Sequence, residues 1–361
     1  MSVQIKIVES KKDLKTFVRF ANKLYKGNKY YVPAIVFDEI NTFDSKKNGA
    51  FDFCQAELYL AYKDGAVVGR VAAIINHKAN ERWKAKQVRF GWFDFIDDIE
   101  VSSALLDAVT AFGKAHGMTQ IVGPLGFTDF DPEGMLVEGF DRLGTMALIY
   151  NHPYYPEHLK KLGYGKETGW VEYRITIPND IPERHKKLAQ IVMQRYNLKI
   201  LKLSRRQIIK QGYGHKFFEL INQTYCNLYG FSLLTPKQID SYVDLYLSLN
   251  DTRMITFVEH DKGELVAAGA SMPSLSAALQ KCNGEILPFG WWHLLKAMFI
   301  KRPDTLDLLL IGVRPDYQNC GVNSVLILDL AERYKFTKVE DDTYLNFYAN
   351  DGQITITLVK N

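Results

Sequence analysis

The sequence predicts an α/β (α+β) protein of two domains, each with a mixed, mostly antiparallel sheet flanked by helices. Strand-like and helix-like runs are interleaved along the chain, which is typical of this fold class. There is also an internal repeat. Residues 57–76 form two strand-like runs around Asp64-Gly65, a pair typical of tight hairpins, and the same pattern of strand, turn and strand returns at 254–274.

The order of elements around the hairpins is repeated as well, and a small residue, Gly69 or Gly269, stands at a matching place in each hairpin. The other predicted elements are a strand at 3–8, a helix at 11–24, long strands at 88–95 and 306–313, and helices at 100–116 and 323–335. Prolines and polar residues interrupt the pattern at 176–184, so we predict domains at 1–178 and 179–361.

Composition excludes several classes of function. The 45 basic and 41 acidic residues give a net charge of +4, too small to predict nucleic acid as a partner. The four cysteines have no spacing typical of a zinc site or a disulfide framework, and the eight histidines include no metal motif, so no metal is predicted. No signal peptide or membrane-spanning run is found, which favours a cytoplasmic location.

The most informative loop follows the second long strand. Residues 314–323 join a strand ending at Val313 to a helix starting near Asn323, with Gly321 in the turn. Backbone N–H groups and the positive end of the helix would meet there, which suits a pyrophosphate. The alternative is a plain strand-to-helix turn that needs glycine for its backbone angles.

Gln318-x-x-Gly321-x-Asn323 resembles the cofactor loop of the GNAT superfamily, which reads Q/R-x-x-G-x-G/A. The resemblance implies an N-acyltransferase with acyl-CoA as co-substrate and with oxyanion-stabilising N–H groups at the end of the strand, where Gly312 suits a bulge. Asn323 departs from the motif and could serve as the helix N-cap. The implied cofactor-binding residues are Ile311, Gly312, Val313, Gln318, Asn319, Gly321, Val322 and Asn323.

The first half has the same order of elements but a different loop. Residues 97–101 contain three acidic side chains and no glycine. Carboxylates repel a pyrophosphate, so we expect the first half to be a degenerate cofactor domain that does not bind CoA.

A second resemblance covers nearly the whole chain up to about residue 336. It is carried by Gly123-Pro124-Leu-Gly126-Phe127, by Glu138-Gly139-Phe140 and by Tyr150-Asn151-x-Pro153-Tyr154-Tyr155. These motifs resemble a bacterial group of tandem GNAT-like N-acyltransferases, the YghO-like group. The group implies an acyl-CoA donor and an amine acceptor, which we expect to bind between the domains and to be a small molecule, an amino acid or a lipid amine.

Candidate groups for proton transfer lie in the carboxylate-rich stretch 126–141. Asp129, Asp131 or Glu138 could accept the proton of the amine, and the alternative is that they are simply solvated. The GNAT resemblance implies a tyrosine acid for the leaving thiolate, which could be Tyr344 or Tyr348, although an exposed aromatic in a short terminal hairpin is the simpler interpretation. Only 25 residues follow position 336, so the second domain is expected to be short of strands.

Residues 285–302 (EILPFGWWHLLKAMFIKR) are an aromatic and basic insertion that the first half lacks. The segment could line a tunnel for a long acyl chain or contact the inner membrane peripherally, and the simpler alternative is a helix packed in the core.

Taken together, the two resemblances imply an acyl-CoA-dependent N-acyltransferase. The alternative is a non-catalytic GNAT-fold protein that binds a ligand or a partner.

Overall fold

The computed structural model describes residues 2–177, 181–249, 251–335 and 343–350, the last of these as backbone. The first elements are β1 (Gln4–Ile7), α1 (Lys11–Leu24), α2 (Val36–Thr42), β2 (Cys54–Lys63), β3 (Ala66–Asn76), α3 (His77–Trp83), β4 (Gln87–Phe95), α4 (Ile99–Ala115), β5 (Gln120–Val122) and α5 (Tyr154–Lys161). The remainder are β6 (Trp170–Ile177), α6 (Glu183–Arg195), β7 (Leu198–Leu201), α7 (Arg205–Lys210), α8 (Tyr213–Tyr225), α9 (Pro236–Leu249), β8 (Ile255–His260), β9 (Leu265–Pro273), α10 (Ser276–Cys282), α11 (Gly290–Leu295), β10 (Thr305–Val313), α12 (Val322–Lys335) and β11 (Thr343–Asn350).

Local sequence explains where the predicted elements begin and turn. Helix α1 starts after Ser10, whose hydroxyl accepts the N–H of Asp13 while the Asp13 carboxylate accepts the N–H of Ser10, a reciprocal capping box. The first hairpin turns at Asp64 and Gly65, with φ of 54° and 76°. Positive φ at both positions matches the twist of the two strands, which is why Asp-Gly predicted the turn.

The chain divides into two units, residues 1–169 with 275–295 and residues 170–274 with 296–361. The predicted boundary at 178 lies after β6, whereas β6 itself pairs with β11 in the second sheet. The segment 275–295, which contains α10 and α11, belongs to the first unit although it follows β9 in sequence. Hydrophobic periodicity predicts neither the pairing of β6 with β11 nor the place of residues 275–295 in the first unit.

The first sheet has the strand order β1-β2-β3-β4-β5, in which only β5 runs parallel to its neighbour β4. Helix α4 packs on β3 and β4 and buries Val101, Leu105 and Val109 completely. These side chains form one apolar core with Val71 and Phe90 of the sheet.

The second sheet has the order β7-β8-β9-β10-β11-β6. Strand β11 runs parallel to β10, as β5 does to β4. The expectation that the second domain is short of strands is therefore wrong. The eight residues Thr343–Asn350 supply the strand equivalent to β5, and β6 adds a sixth strand on its far side.

The predicted repeat is confirmed element by element. Both hairpins, both long strands and both following helices are present, and the sheets share strand order and direction through five strands. The matching glycines have the same packing role. A Cβ at Gly69 would lie 2.8 Å from Leu105 of α4, and one at Gly269 would lie 3.3 Å from Leu330 of α12. Each glycine lets the helix after the long strand approach the sheet closely.

Candidate functional site

The predicted cofactor loop lies between β10 and α12. Asn319 and Gly321 have left-handed backbone conformations, with φ of 62° and 81°. The Gln318 side-chain amide donates to the Val313 carbonyl oxygen at 3.1 Å, which ties the loop back to the end of the strand. The glycine is required here, because a side chain at this φ is strained and a Cβ would lie 3.2 Å from Val192 of α6.

The helix after this loop begins at Val322, one residue earlier than expected. Asn323 is therefore in the first turn of α12, and the expectation that it is the N-cap is wrong. In the described part of the chain, no backbone carbonyl accepts the N–H of Gly321 or of Val322. Unpaired amides at a helix N-terminus are the donors that bind phosphate oxygens.

The corresponding position in the first unit is occupied by a carboxylate. Asp98 is the N-cap of α4, accepting the N–H of Glu100 at 3.0 Å, and its other oxygen lies 2.6 Å from Nζ of Lys63. Helix α4 begins four residues after Phe95, whereas α12 begins eleven residues after the equivalent Ile311. The first unit thus has a short loop whose helix end is already neutralised by its own acidic side chain.

In both units the long strand separates from its parallel neighbour after three residues. Strand β5 pairs with residues 87–89 of β4, and β11 pairs with residues 305–307 of β10. Beyond these pairs the parallel ladder ends, and in the first unit one further backbone hydrogen bond follows it, from the Leu125 N–H to the Phe90 carbonyl oxygen at 2.8 Å. Each long strand also has a bulge against its antiparallel neighbour, at 308–310 in β10 and at 91–94 in β4.

The expected bulge at Gly312 is wrong, because Gly312 pairs regularly with Ala268. A Cβ at Gly312 would lie 3.1 Å from Oγ1 of Thr224, so this glycine instead admits the end of α8. The same helix end places the Tyr225 hydroxyl against Ile311. That hydroxyl donates to the Ile311 carbonyl oxygen at 3.0 Å and accepts the Ile311 N–H at 3.4 Å.

Tyrosine hydroxyls satisfy the equivalent backbone groups in the first unit. Phe95 and Ile311 are equivalent because they pair with the matching glycines of the repeat. The Phe95 N–H donates to the Tyr155 hydroxyl at 3.0 Å, and the Tyr154 hydroxyl donates to the Phe95 carbonyl at 2.6 Å. In both units, therefore, the open edge of the long strand is covered by tyrosine.

A buried ion pair lies beside this edge in the first unit only. Arg70 contacts Asp94 at 2.7 Å, and the other oxygen of Asp94 accepts the Tyr25 hydroxyl at 3.0 Å. The Tyr25 and Tyr155 hydroxyls are 2.7 Å apart. In the second unit the pair equivalent to Arg70 and Asp94 is Ala270 opposite Leu310, so its strand edge lacks this charge.

The predicted catalytic residues are not all in one environment. Asp131 accepts the Thr128 N–H at 2.9 Å, and burial raises its pKa to about 6. Burial raises the pKa of Asp129 to about 7, and neither of its carboxylate oxygens has a hydrogen-bond partner among the described residues. Glu138 is exposed. The side chain of Tyr348, in β11, lies outside the described residues, so its role stays a prediction.

Tyr25 and Tyr225 were missed by sequence reasoning, although a signal for both exists. The sequence Phe17-x4-Asn22-x2-Tyr25 recurs as Phe217-x4-Asn222-x2-Tyr225. Both tyrosines stand at the end of the helix that is separated from the hairpin by one further α-helix, α1 in one unit and α8 in the other. The predicted repeat covered the order of elements, whereas this match of individual residues within the helices was not predicted.

The aromatic insertion is largely on the surface. Within it the exposed fractions are 77% for Leu287, 77% for Phe289, 44% for Trp291 and 47% for Trp292. The alternative in which these side chains form core is therefore wrong. None of the described helices is long and apolar enough to cross a bilayer. No three metal-ligating side chains of the described residues lie together.

The two units have the fold of GNAT domains in tandem. The solved tandem GNAT protein from the clavulanic acid biosynthesis pathway has a similar structure, with a TM-score of 0.53 at 9% identity, over 97% of this chain and 91% of that protein. No family model matches the sequence.

Two relatives extend over most of the chain. Protein YghO of Escherichia coli K12 is 29% identical over 330 residues, which are 90% of this chain and 82% of YghO. The bacterial ceramide synthase of Caulobacter vibrioides is 25% identical over 323 residues, 86% of this chain and 80% of that enzyme. The resemblance to the tandem GNAT-like, YghO-like group is confirmed.

Proposed function

We propose that the protein transfers an acyl group from acyl-CoA to an amine, with the CoA pyrophosphate bound at residues 318–323 of the second unit. The observation that carries the proposal is the contrast between two equivalent helix ends. At the start of α12, the N–H groups of Gly321 and Val322 have no hydrogen-bond acceptor among the described residues. At the start of α4, the Asp98 side chain caps the helix. A pyrophosphate is attracted to the first arrangement and repelled by the second.

The reaction needs donors for the thioester oxygen, and the edge of β10 offers two. As the amine nitrogen bonds to the acyl carbon, negative charge collects on the carbonyl oxygen, and the C–S bond then breaks to release CoA thiolate. The thioester oxygen takes the Ile311 N–H in place of the Tyr225 hydroxyl, whose 3.4 Å contact with that nitrogen is long. The Tyr225 hydroxyl then turns its proton from the Ile311 carbonyl oxygen towards the thioester oxygen or the thiolate. In either case the proton that the amine nitrogen loses ends on the thiolate, directly or by way of the phenol.

Two considerations bear on the acceptor. A relative that is named a ceramide synthase favours a lipid amine among the acceptors that the sequence left open. The exposed Leu287, Phe289, Trp291 and Trp292, followed in sequence by the exposed Lys296 and Lys301, suit peripheral contact with an anionic bilayer. A segment that contacts a membrane would bring the protein to a lipid substrate, so the two observations favour the same class of acceptor.

The alternative is a non-catalytic protein of the same fold. The contact of Tyr225 with Ile311 favours it, because both backbone groups of the expected oxyanion site are already hydrogen-bonded.

Isothermal titration with CoA tests the cofactor site that both alternatives retain. One CoA per chain is the expected stoichiometry, and two sites or none would contradict the proposal. Thiol release from acyl-CoA in the presence of amines then separates an enzyme from a binding protein.

A further inference from the structure

The first unit contains a cavity of about 100 Å³ that the proposed cofactor site does not use. It lies beside the open edge of β4, and its polar wall is formed by Glu39, Arg70, Trp92 and Asp94. The lining also includes the apolar side chains of Met135, Met146, Leu148 and Ile149. A cavity with a few convergent polar groups and an apolar remainder is the usual form of a small-molecule site.

One carboxylate beside this cavity, Glu39, makes no direct ion pair with another described residue. The Arg70 guanidinium is already committed, because it contacts Asp94 at 2.7 Å and donates to the carbonyl oxygens of Phe17 and Val18 at 2.9 and 3.2 Å. Glu39 accepts the Trp92 indole N–H at 2.6 Å, its one hydrogen-bond donor within the described chain. A buried carboxylate of this kind is stabilised by a cation that brings its own N–H donors.

Aromatic rings complete the surroundings of a cation. Tyr25, Tyr31 and Tyr150 line the cavity together with Trp92. The ring centre of Tyr25 lies 4.5 Å from that of Tyr31 and 5.7 Å from that of Tyr150, so the three rings form one wall. Aromatic faces attract ammonium groups and offer nothing to an anion.

We propose that this cavity binds a primary ammonium compound with a short carbon stem, its nitrogen on Glu39 and its stem against the methionine and leucine wall. The identification of this compound with the amine acceptor rests on the proposed function, whereas the binding itself does not. The cavity is too small for a long hydrocarbon chain, so the group that it selects is the amine end of the acceptor.

Binding should depend on pH through Glu39. Burial raises its pKa to about 7, the nearby Asp131 and Asp94 act in the same direction, and Arg70 and the Trp92 hydrogen bond oppose them. Tyr31 is the other titratable group that faces it, and burial keeps this phenol neutral. An alkylammonium ion stays charged throughout this range, so binding should strengthen from pH 6 to pH 8 as Glu39 loses its proton.

The test is calorimetric titration of the whole protein with n-butylammonium, n-butanol and butyrate at pH 6 and pH 8. We expect n-butylammonium alone to bind, more tightly at pH 8, and Glu39→Gln to weaken it by about tenfold or more. Asp38→Asn, at the neighbouring exposed carboxylate of α2, is the matched control and should bind normally.

Equal binding of n-butanol and n-butylammonium, or unchanged binding by Glu39→Gln, would overturn the proposal, and so would no binding at all. CoA titration of each variant reports on the second unit separately. Loss of amine binding with normal CoA binding in Glu39→Gln supports the cavity and shows a folded chain. Amine binding by a wild-type protein that does not bind CoA would keep this site and reject the proposed cofactor loop.

Discussion

The hydroxyl of Tyr225 makes hydrogen bonds to both backbone groups of Ile311, at 3.0 Å to its carbonyl oxygen and 3.4 Å to its nitrogen. Ile311 stands opposite Gly269, and in the first unit Phe95 stands opposite Gly69 and is bonded in the same way by Tyr154 and Tyr155. The fold thus exposes the same peptide edge twice. In each unit tyrosine hydroxyls satisfy the hydrogen-bonding groups of this edge.

Tyr225→Phe should therefore lower acyl transfer without lowering CoA affinity. Removing one donor to a developing oxyanion typically costs about 10²-fold or more in kcat, and the loop at 318–323 is not altered by this change. Thiol release from acyl-CoA gives the rate and calorimetry gives the CoA dissociation constant. An unchanged rate would remove Tyr225 from the reaction.

The control for this variant is Tyr155→Phe in the first unit. It deletes the acceptor of the Phe95 N–H, so we expect a loss of about 1–3 kcal/mol in the free energy of unfolding. CoA binding at the second unit should be retained in both variants. If Tyr225→Phe also weakens CoA binding, its effect is structural rather than specific to the thioester.

Gly321→Asp should abolish CoA binding. The new carboxylate would stand at the N-terminus of α12, where it repels phosphate and takes the amides that phosphate needs. The matched control is Gly212→Asp, because Gly212 also precedes a helix of the second unit and has a φ of 69°. Titration with CoA distinguishes them, and binding by Gly321→Asp with near wild-type affinity would exclude this loop as the pyrophosphate site.

Stability should fall as the pH rises from 5 to 8. Burial raises the pKa of Asp129 to about 7 and that of Asp131 to about 6, so the folded chain holds protons that the unfolded chain has released. Each such group lowers the unfolding free energy by up to about 1.4 kcal/mol per pH unit, between its unfolded and folded pKa. Carboxyls with lowered pKa, such as Asp98, act below about pH 4, outside this window.

Denaturant unfolding at pH 5 and pH 8 measures this slope. Asp129→Asn should reduce the slope, because the amide does not titrate while Asp131 and Glu39 still do, whereas the exposed Asp141→Asn should leave it as in the wild type. A wild-type protein that gains stability towards pH 8 would contradict the raised pKa of these buried carboxyls.

Replacing Trp291 and Trp292 together with alanine should weaken binding to vesicles that contain anionic lipid by at least about tenfold. Each indole that inserts at the interface contributes apolar burial, and Lys296 and Lys301 add an attraction that salt screens. The double alanine variant of Leu188 and Ile191, which are 57% and 56% exposed on α6, is the control for general apolar exposure. Equal loss in both variants would mean that the insertion has no special affinity.

The same pair of tryptophan replacements tests the tunnel alternative. If residues 285–302 line a tunnel, palmitoyl-CoA should bind more tightly than acetyl-CoA, and the difference should disappear in the variant, since each buried methylene contributes about 0.8 kcal/mol. Vesicle binding that is lost while the preference for palmitoyl-CoA persists would assign the segment to the surface alone.

Local patterns predicted most of the fold because the physics behind them is local. Alternation along 57–76 and 254–274, the spacing of α1 and the loop at Gly321 each depend on neighbours within one element. The partner strand of β6 could not be predicted in this way, since pairing with β11 joins residues far apart in sequence. The terminal strand was missed because counting residues after position 336 ignored how few residues a parallel strand needs.

The same distinction applies to the candidate site. Gln318 and Gly321 were visible as a motif, whereas the hydrogen bonds of Tyr225 and the cavity beside Glu39 require a helix end and a strand edge to meet. Asp129 was named for its chemistry, but its burial could not be inferred from a loop rich in carboxylates and glycines.

Residues 275–295 determine when the first unit can be completed during synthesis of the chain. They supply Gly284, whose carbonyl accepts the Val36 N–H at 3.0 Å, and Gln280, which donates to the Tyr31 carbonyl at 2.9 Å. Glu285 adds an ion pair with Arg19 at 2.7 Å. The first unit therefore cannot make these contacts until β6 to β9 of the second unit have been synthesised, and a fragment that ends at residue 169 would lack them.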